Sequence, residues 1–121
     1  MSKNRYIRPP TTLLGTEPFL SAEEAWFWFV RCQKARDDGM RFVRGMEVTA
    51  RPCFPDDIYR ALKALTARRV IGLDHVKVLK FFGYMERPPD PRCAEEELSH
   101  VLWDEAFDRL GPELKSKDIV Q

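Results

Sequence analysis

Histidine, cysteine and glycine are scarce in this chain, at two, three and six residues respectively. No two cysteines are spaced C-x-x-C and the histidines, His75 and His100, are not spaced H-x-x-x-H, so no short segment pre-organises a metal site. Cys53, His75, Cys93 and His100 could act as ligands only if the fold gathered them, and ordinary thiols and imidazoles are the simpler reading. Cys32, Cys53 and Cys93 are odd in number and far apart, which suits reduced thiols better than a disulfide framework. There is no glycine-rich phosphate loop and no G-x-S-x-G turn, so nothing calls for a cofactor or marks a nucleophile. Asp56-Asp57 and Glu95-Glu96-Glu97 are adjacent carboxylates, but adjacency turns side chains apart on a helix, and both clusters sit where helix starts favour negative charge. No apolar run is long enough to span a bilayer, and Met1-Ser2-Lys3-Asn4-Arg5 leads into no apolar signal core. The expectation is a soluble, cytoplasmic, non-enzymatic chain with no metal, cofactor or membrane contact.

What the chain does have is core-forming material. Of its 121 residues 44% are apolar and 12% aromatic, enough for one domain with a single core. The net charge of +1 conceals an uneven distribution. From Arg51 to Arg92 nine Lys or Arg stand against five Asp or Glu, whereas from Cys93 to Gln121 the numbers are three against eight. A basic middle precedes an acidic C-terminal part.

Patterning predicts a mostly α single domain of four helices. Pro9, Pro10, Gly15 and Pro18 punctuate residues 1–19, which read as an extended arm before a domain over 20–121. Ser21 and Glu24 have capping-box spacing, and a helix over 22–38 follows, with Gly39 placed to end it. Residues 41–50 alternate weakly around Gly45 and suit either a short hairpin or an irregular loop. Asp56 or Asp57 can cap a second helix over 57–69, in which Ile58, Leu62 and Leu65 recur at i, i+4 and i+7. Gly72 breaks the pattern, Asp74 can cap a third helix over 74–82, and Gly83 stands where it should stop. These two helices are expected to form a close, helix-turn-helix-like pair. Three prolines between Arg87 and Arg92 make a stiff connector; a fourth helix over 94–110 then ends at Gly111-Pro112, after which Leu114 to Val120 can pack back.

Two features bear on function. Trp26-Phe27-Trp28-Phe29-Val30 points large apolar groups all round a helix, so the block is either the core or, through Trp26, Trp28 and Phe29, an interface with a protein partner or a second copy. Arg60, Lys63, Arg68, Arg69, Lys77, Lys80, Arg87 and Arg92 could instead contact DNA phosphates, with Arg5 and Arg8 of the arm assisting. Against base readout, the third helix has no Asn, Gln or Arg for bidentate contacts, and Glu95, Glu96, Glu97, Asp104, Glu105 and Asp108 make the fourth helix acidic.

Taken together, SAEEAWFW at 21–28, RPCFPDD at 51–57, PDPR at 89–92 and LWDEAFDRL at 102–110, followed by Leu114, Lys117, Ile119 and Val120, resemble a group of small bacterial proteins to which no activity is attached. That resemblance implies no chemistry and transfers no residue roles. The reading favoured by the residues is a small helical adaptor or regulator working through protein–protein association. The alternative is a small DNA-binding regulator whose 57–82 pair contacts phosphates.

Overall fold

The computed structural model describes residues 17–37, 51 and 53–121. Most of the N-terminal arm, Gly39 and the 41–50 segment lie outside these residues. Among the described residues the chain forms α1 (Ala22–Asp37), α2 (Pro55–Ala67), α3 (Leu73–Met85) and α4 (Glu97–Ser116), the last entered through a 3-10 turn at Ala94–Glu96.

Three of the four helices start on a local hydrogen-bonding device. At α1 the Glu24 N–H donates to Ser21 Oγ at 3.2 Å, and the Glu24 carboxylate accepts from the Leu20 N–H at 2.7 Å, one residue before the position the capping box predicts. The cap of α2 is Phe54 and not an aspartate: Pro55 occupies the first turn, where its missing N–H costs nothing, and Asp57 accepts from the Phe54 N–H at 2.8 Å. At α3, Gly72 takes the cap, and His75 Nδ1 accepts the Gly72 N–H at 3.1 Å.

The helix ends depart from expectation in a consistent way. Gly83 does not stop α3, which runs to Met85; Gly111-Pro112 does not stop α4, which runs to Ser116. Pro112 deletes one helical donor, but it and Asp108, whose carbonyl would have accepted, are solvent-exposed, so water can replace the bond. Leu114 beyond it is fully buried and anchors the extra turn. The actual terminators are Arg69, Glu86 and Asp118, all non-glycine residues at φ near +60°. Each closes the same motif, with the next residue's N–H reaching back five positions: Val70 to Leu65 O, Arg87 to Phe82 O and Ile119 to Leu114 O. Left-handed geometry costs an L-residue about 1–2 kcal/mol, partly offset by the entropy a glycine loses on folding. Arg69→Gly is therefore expected to stabilise the domain by about 0.5–1 kcal/mol, read as a higher urea midpoint at unchanged slope, whereas Arg69→Ala gives no gain.

The core is continuous and built from all four helices. Trp26, Ile58, Leu65, Leu79, Leu110 and Leu114 are among its fully buried side chains. Phe19, which the proline punctuation assigns to the arm, belongs to it as well: its N–H donates to Ile119 O, its carbonyl accepts from Gln121, and its ring lies 5.2 Å from that of Trp28. The C-terminal residues thus pack back on the start of the domain through a short parallel bridge between Phe19 and Val120.

The pairing of helices sets up the surface. α1 and α4 each pack on all three other helices, whereas α2 and α3 scarcely touch. The helix-turn-helix-like close pair is thus not formed; α2 and α3 turn their apolar stripes to α1 and α4 instead of to each other. Trp26 of α1 binds α3 directly, its indole N–H donating to the buried Leu79 carbonyl at 2.8 Å. Trp103 of α4 binds α1 in the same manner, donating to Glu23 at 2.8 Å.

Candidate binding groove

Because α2 and α3 stand apart over the C-terminal half of α1, a gap of about 510 Å3 opens between them. Trp26, Phe29, Val30 and Gln33 floor it; Asp56 and Tyr59 of α2 form one wall, and Lys80 and Tyr84 of α3 the other. The aromatic rings are ordered relative to one another. Phe29 lies 5.1 Å from Trp26 and stacks on Tyr59 at 6.0 Å and 14°. Tyr84, 65% exposed, carries Lys34 over its ring at 4.4 Å, and Lys34 in turn pairs with Glu86 at 2.8 Å. That contact holds the Glu86 carboxyl below its ordinary range, chiefly through the hydrogen bond from Lys34.

The aromatic block accordingly has a mixed fate. Of the two alternatives, core or interface, the buried positions of Trp26, Trp28 and Phe29 fit the core: they form no exposed ridge, and other helices cover them because α1 packs on all three of its neighbours. Trp26 and Phe29 nevertheless line the floor of the groove from within the core. Trp28 instead packs on Phe19.

The eight basic candidates do not converge on one face free of carboxylates. Arg60 pairs with Asp57 at 3.3 Å, Arg68 with Glu113 of α4 at 3.9 Å, and Arg92 with Asp90 at 3.3 Å. Arg87 donates both guanidinium arms to Glu96 at 2.9 and 2.8 Å and lies over the Phe82 ring at 5.2 Å. Arg69 holds the left-handed turn with its backbone, and its side chain is exposed without an ion pair among the described residues. Lys77 borders a shallow hollow beside Glu95 and Glu96. Of the eight, Lys80 alone lines the groove, without an ion pair among the described residues, and Lys63 lies beside it, 5.7 Å from the Tyr59 ring; the other cation of the lining, Arg36, pairs with Asp56 at 3.4 Å.

Glu96 is a structural clasp. It accepts from Arg87 and, at 2.7 Å, from the Asp90 N–H, fixing the proline-rich connector against the start of α4. The hydrogen bonds from Arg87 and then from the Asp90 N–H pull its carboxyl down to about 2, against an ordinary 4.5. A carboxyl depressed in the folded state stabilises it above the unfolded value and loses that contribution as pH falls through the folded one. The melting temperature is expected to drop between pH of about 5 and about 2, and Glu96→Gln should remove that part of the drop while lowering the plateau at neutral pH.

Cys53 and the two histidines, the nucleophile and ligand candidates, are set mainly by their structural surroundings. Burial, and to a lesser degree Asp57, push the Cys53 thiol up to about 12, which suppresses the thiolate a nucleophile needs. His75 uses both ring nitrogens, Nδ1 for the Gly72 N–H and Nε2 for Glu105 at 2.9 Å. His100 contacts Asp104 at 3.2 Å, one turn along the same helix. Among the described residues no three His, Cys, Asp or Glu gather as metal ligands, and no helix is long and apolar enough to cross a membrane.

Tyr59 and Tyr84, the two most distinctive groove residues, are not singled out by the sequence pattern. Their only signal is an aromatic residue on the otherwise polar side of a helix, Tyr59 beside Arg60 and Lys63, Tyr84 one turn beyond Lys80. The quoted motifs, by contrast, resolve into scaffolding. Glu24 accepts the Leu20 N–H at the start of α1, Arg51 lies over the Phe19 ring at 4.2 Å, Asp57 accepts the Phe54 N–H at the start of α2, and Trp103, Ala106 and Leu110 fill the core. Compared with protein-family models, with curated proteins and with solved structures, the chain gives no match in any of the three.

Proposed function

We propose that this chain is a small non-enzymatic adaptor that associates with protein through the groove between α2 and α3. The carrying observation is the groove itself: exposed Tyr59 and Tyr84 stand over a floor of Trp26 and Phe29, with Lys80 on the wall. Rigid aromatic faces bordered by a few charges are the composition of binding hot spots, since rings contribute large contact area while losing little side-chain entropy. The wall residues are presented by helices, so the groove is preformed and little ordering cost accompanies association. Phosphate contact is the weaker use of the same surface. The groove brings few unneutralised cations together, and Arg60, Arg68, Arg87 and Arg92 are engaged with carboxylates.

The test places a photoreactive benzoylphenylalanine at position 84 of the full chain and irradiates cells producing it. A discrete protein adduct that disappears when Lys80→Glu is added is the expected result; no protein adduct, or an adduct to nucleic acid alone, overturns the reading. Both positions are exposed, so neither change threatens the fold.

A further inference from the structure

Taking the groove as a protein-binding surface, we infer that its occupant is the outer face of α4 from a second copy of this chain. The groove offers aromatic faces with positive charge beside them: Lys80 lines the wall with Tyr84, and Lys63 lies near the Tyr59 ring just outside the lining. Neither lysine meets a carboxylate among the described residues, while the groove's Asp56 is offset by Arg36 at 3.4 Å. The outer face of α4 is the complement. Leu98 and Val101, one turn apart, are 70% and 48% exposed, an apolar pair left uncovered among the described residues. Glu97, Asp104 and Asp108 lie exposed on the same side of the helix, and none of them is paired with a lysine or arginine among the described residues. An amphipathic helix laying its apolar residues into a hydrophobic groove, with acids meeting the basic lip, is a standard mode of recognition. Complementary charge, exposed acids on α4 against Lys80 in the groove, favours this pairing.

The two surfaces are different, so the contact is heterologous. One copy's groove receives a neighbour's helix, and its own helix remains available for a third copy. This arrangement produces chains or rings whose length grows with concentration and shrinks with added salt, because the charged pairs at the lip are solvent-accessible. With two apolar residues as anchors the affinity is modest.

The test is sedimentation of the full chain over a concentration series from about 10 to about 500 µM, with two exposed-site variants, Lys80→Glu in the groove and Leu98→Asp on α4. The wild type should associate progressively, and each variant alone should weaken association by about tenfold or more. An equimolar mixture of the two should restore a single 1:1 dimer, since it contains one intact groove and one intact helix and no means of extending further. A wild type that stays monomeric throughout, variants that associate like the wild type, or a mixture that does not dimerise would each overturn the inference. The adduct formed at position 84 separates this failure from failure of the groove reading. An adduct to residues 97–108 of the same chain supports self-docking, an adduct to a different protein with a monomeric chain leaves the groove standing and removes self-docking, and no protein adduct removes both.

Discussion

Truncating Trp26 to alanine should cost about 4 kcal/mol, in the range for buried aromatic-to-alanine changes and a large share of the roughly 5–15 kcal/mol that holds a domain together. The indole is 1% exposed and packs from α1 onto α3, so its removal leaves a cavity between these two helices beside the groove. It also removes the hydrogen bond to the Leu79 carbonyl. Trp26→Phe separates these contributions: it keeps most of the volume and deletes the donor, and the expected cost is about 1–2 kcal/mol. Urea unfolding checks both, with a lower midpoint and an unchanged slope for each. Phe29 rests on Trp26 and Tyr59 rests on Phe29, so a shift of the indole propagates to the groove wall. The alanine variant should therefore lose partner capture at position 84 even at temperatures where it remains folded.

The elements that could be read from the sequence are those whose signals are local. Ser21 and Glu24 mark the start of α1 within one residue, and Ile58, Leu62 and Leu65 mark the buried side of α2 because their spacing alone puts them on one stripe. The ends were less legible. A glycine reads as a terminator, yet a helix buried on several sides continues for as long as its next apolar residue finds the core, as Leu114 does beyond Gly111-Pro112. Packing also supports left-handed residues that propensity disfavours, so Arg69, Glu86 and Asp118 carry no mark in the sequence. The groove was the least legible of all. It arises because α2 and α3 both choose α1 and α4 over each other, and that choice is a property of three-dimensional packing that no window of one helix contains. Lys80, Trp26 and Phe29 were recognisable as candidates for separate reasons, a charge and an aromatic run, but nothing local joined them to Tyr59 and Tyr84.

Gly83 shows what glycine does in this fold when it is not ending a helix. It sits inside α3, buried, opposite the Trp26 indole: a Cβ built on it would lie 2.6 Å from Trp26 Nε1 and 3.0 Å from Val30 Cγ2. Those distances are below van der Waals contact, and the indole cannot retreat because it is enclosed and bonded to Leu79. Gly83→Val should therefore cost about 3 kcal/mol by forcing α1 and α3 apart, despite the better helix propensity of valine. The decisive comparison uses the smaller Gly83→Ala. In the wild-type background the clash outweighs the roughly 1 kcal/mol that alanine gains over glycine in a helix interior, and the net effect is destabilising. In a Trp26→Phe background the atom nearest the new methyl group is gone, so the clash shrinks and the propensity gain shows through. Gly83→Ala should then be close to neutral or stabilising, and a double-mutant cycle should return a coupling of about 1–2 kcal/mol between positions 26 and 83. Additive costs would mean instead that the two helices adjust independently, and that the close approach at Gly83 does not hold α3 against α1.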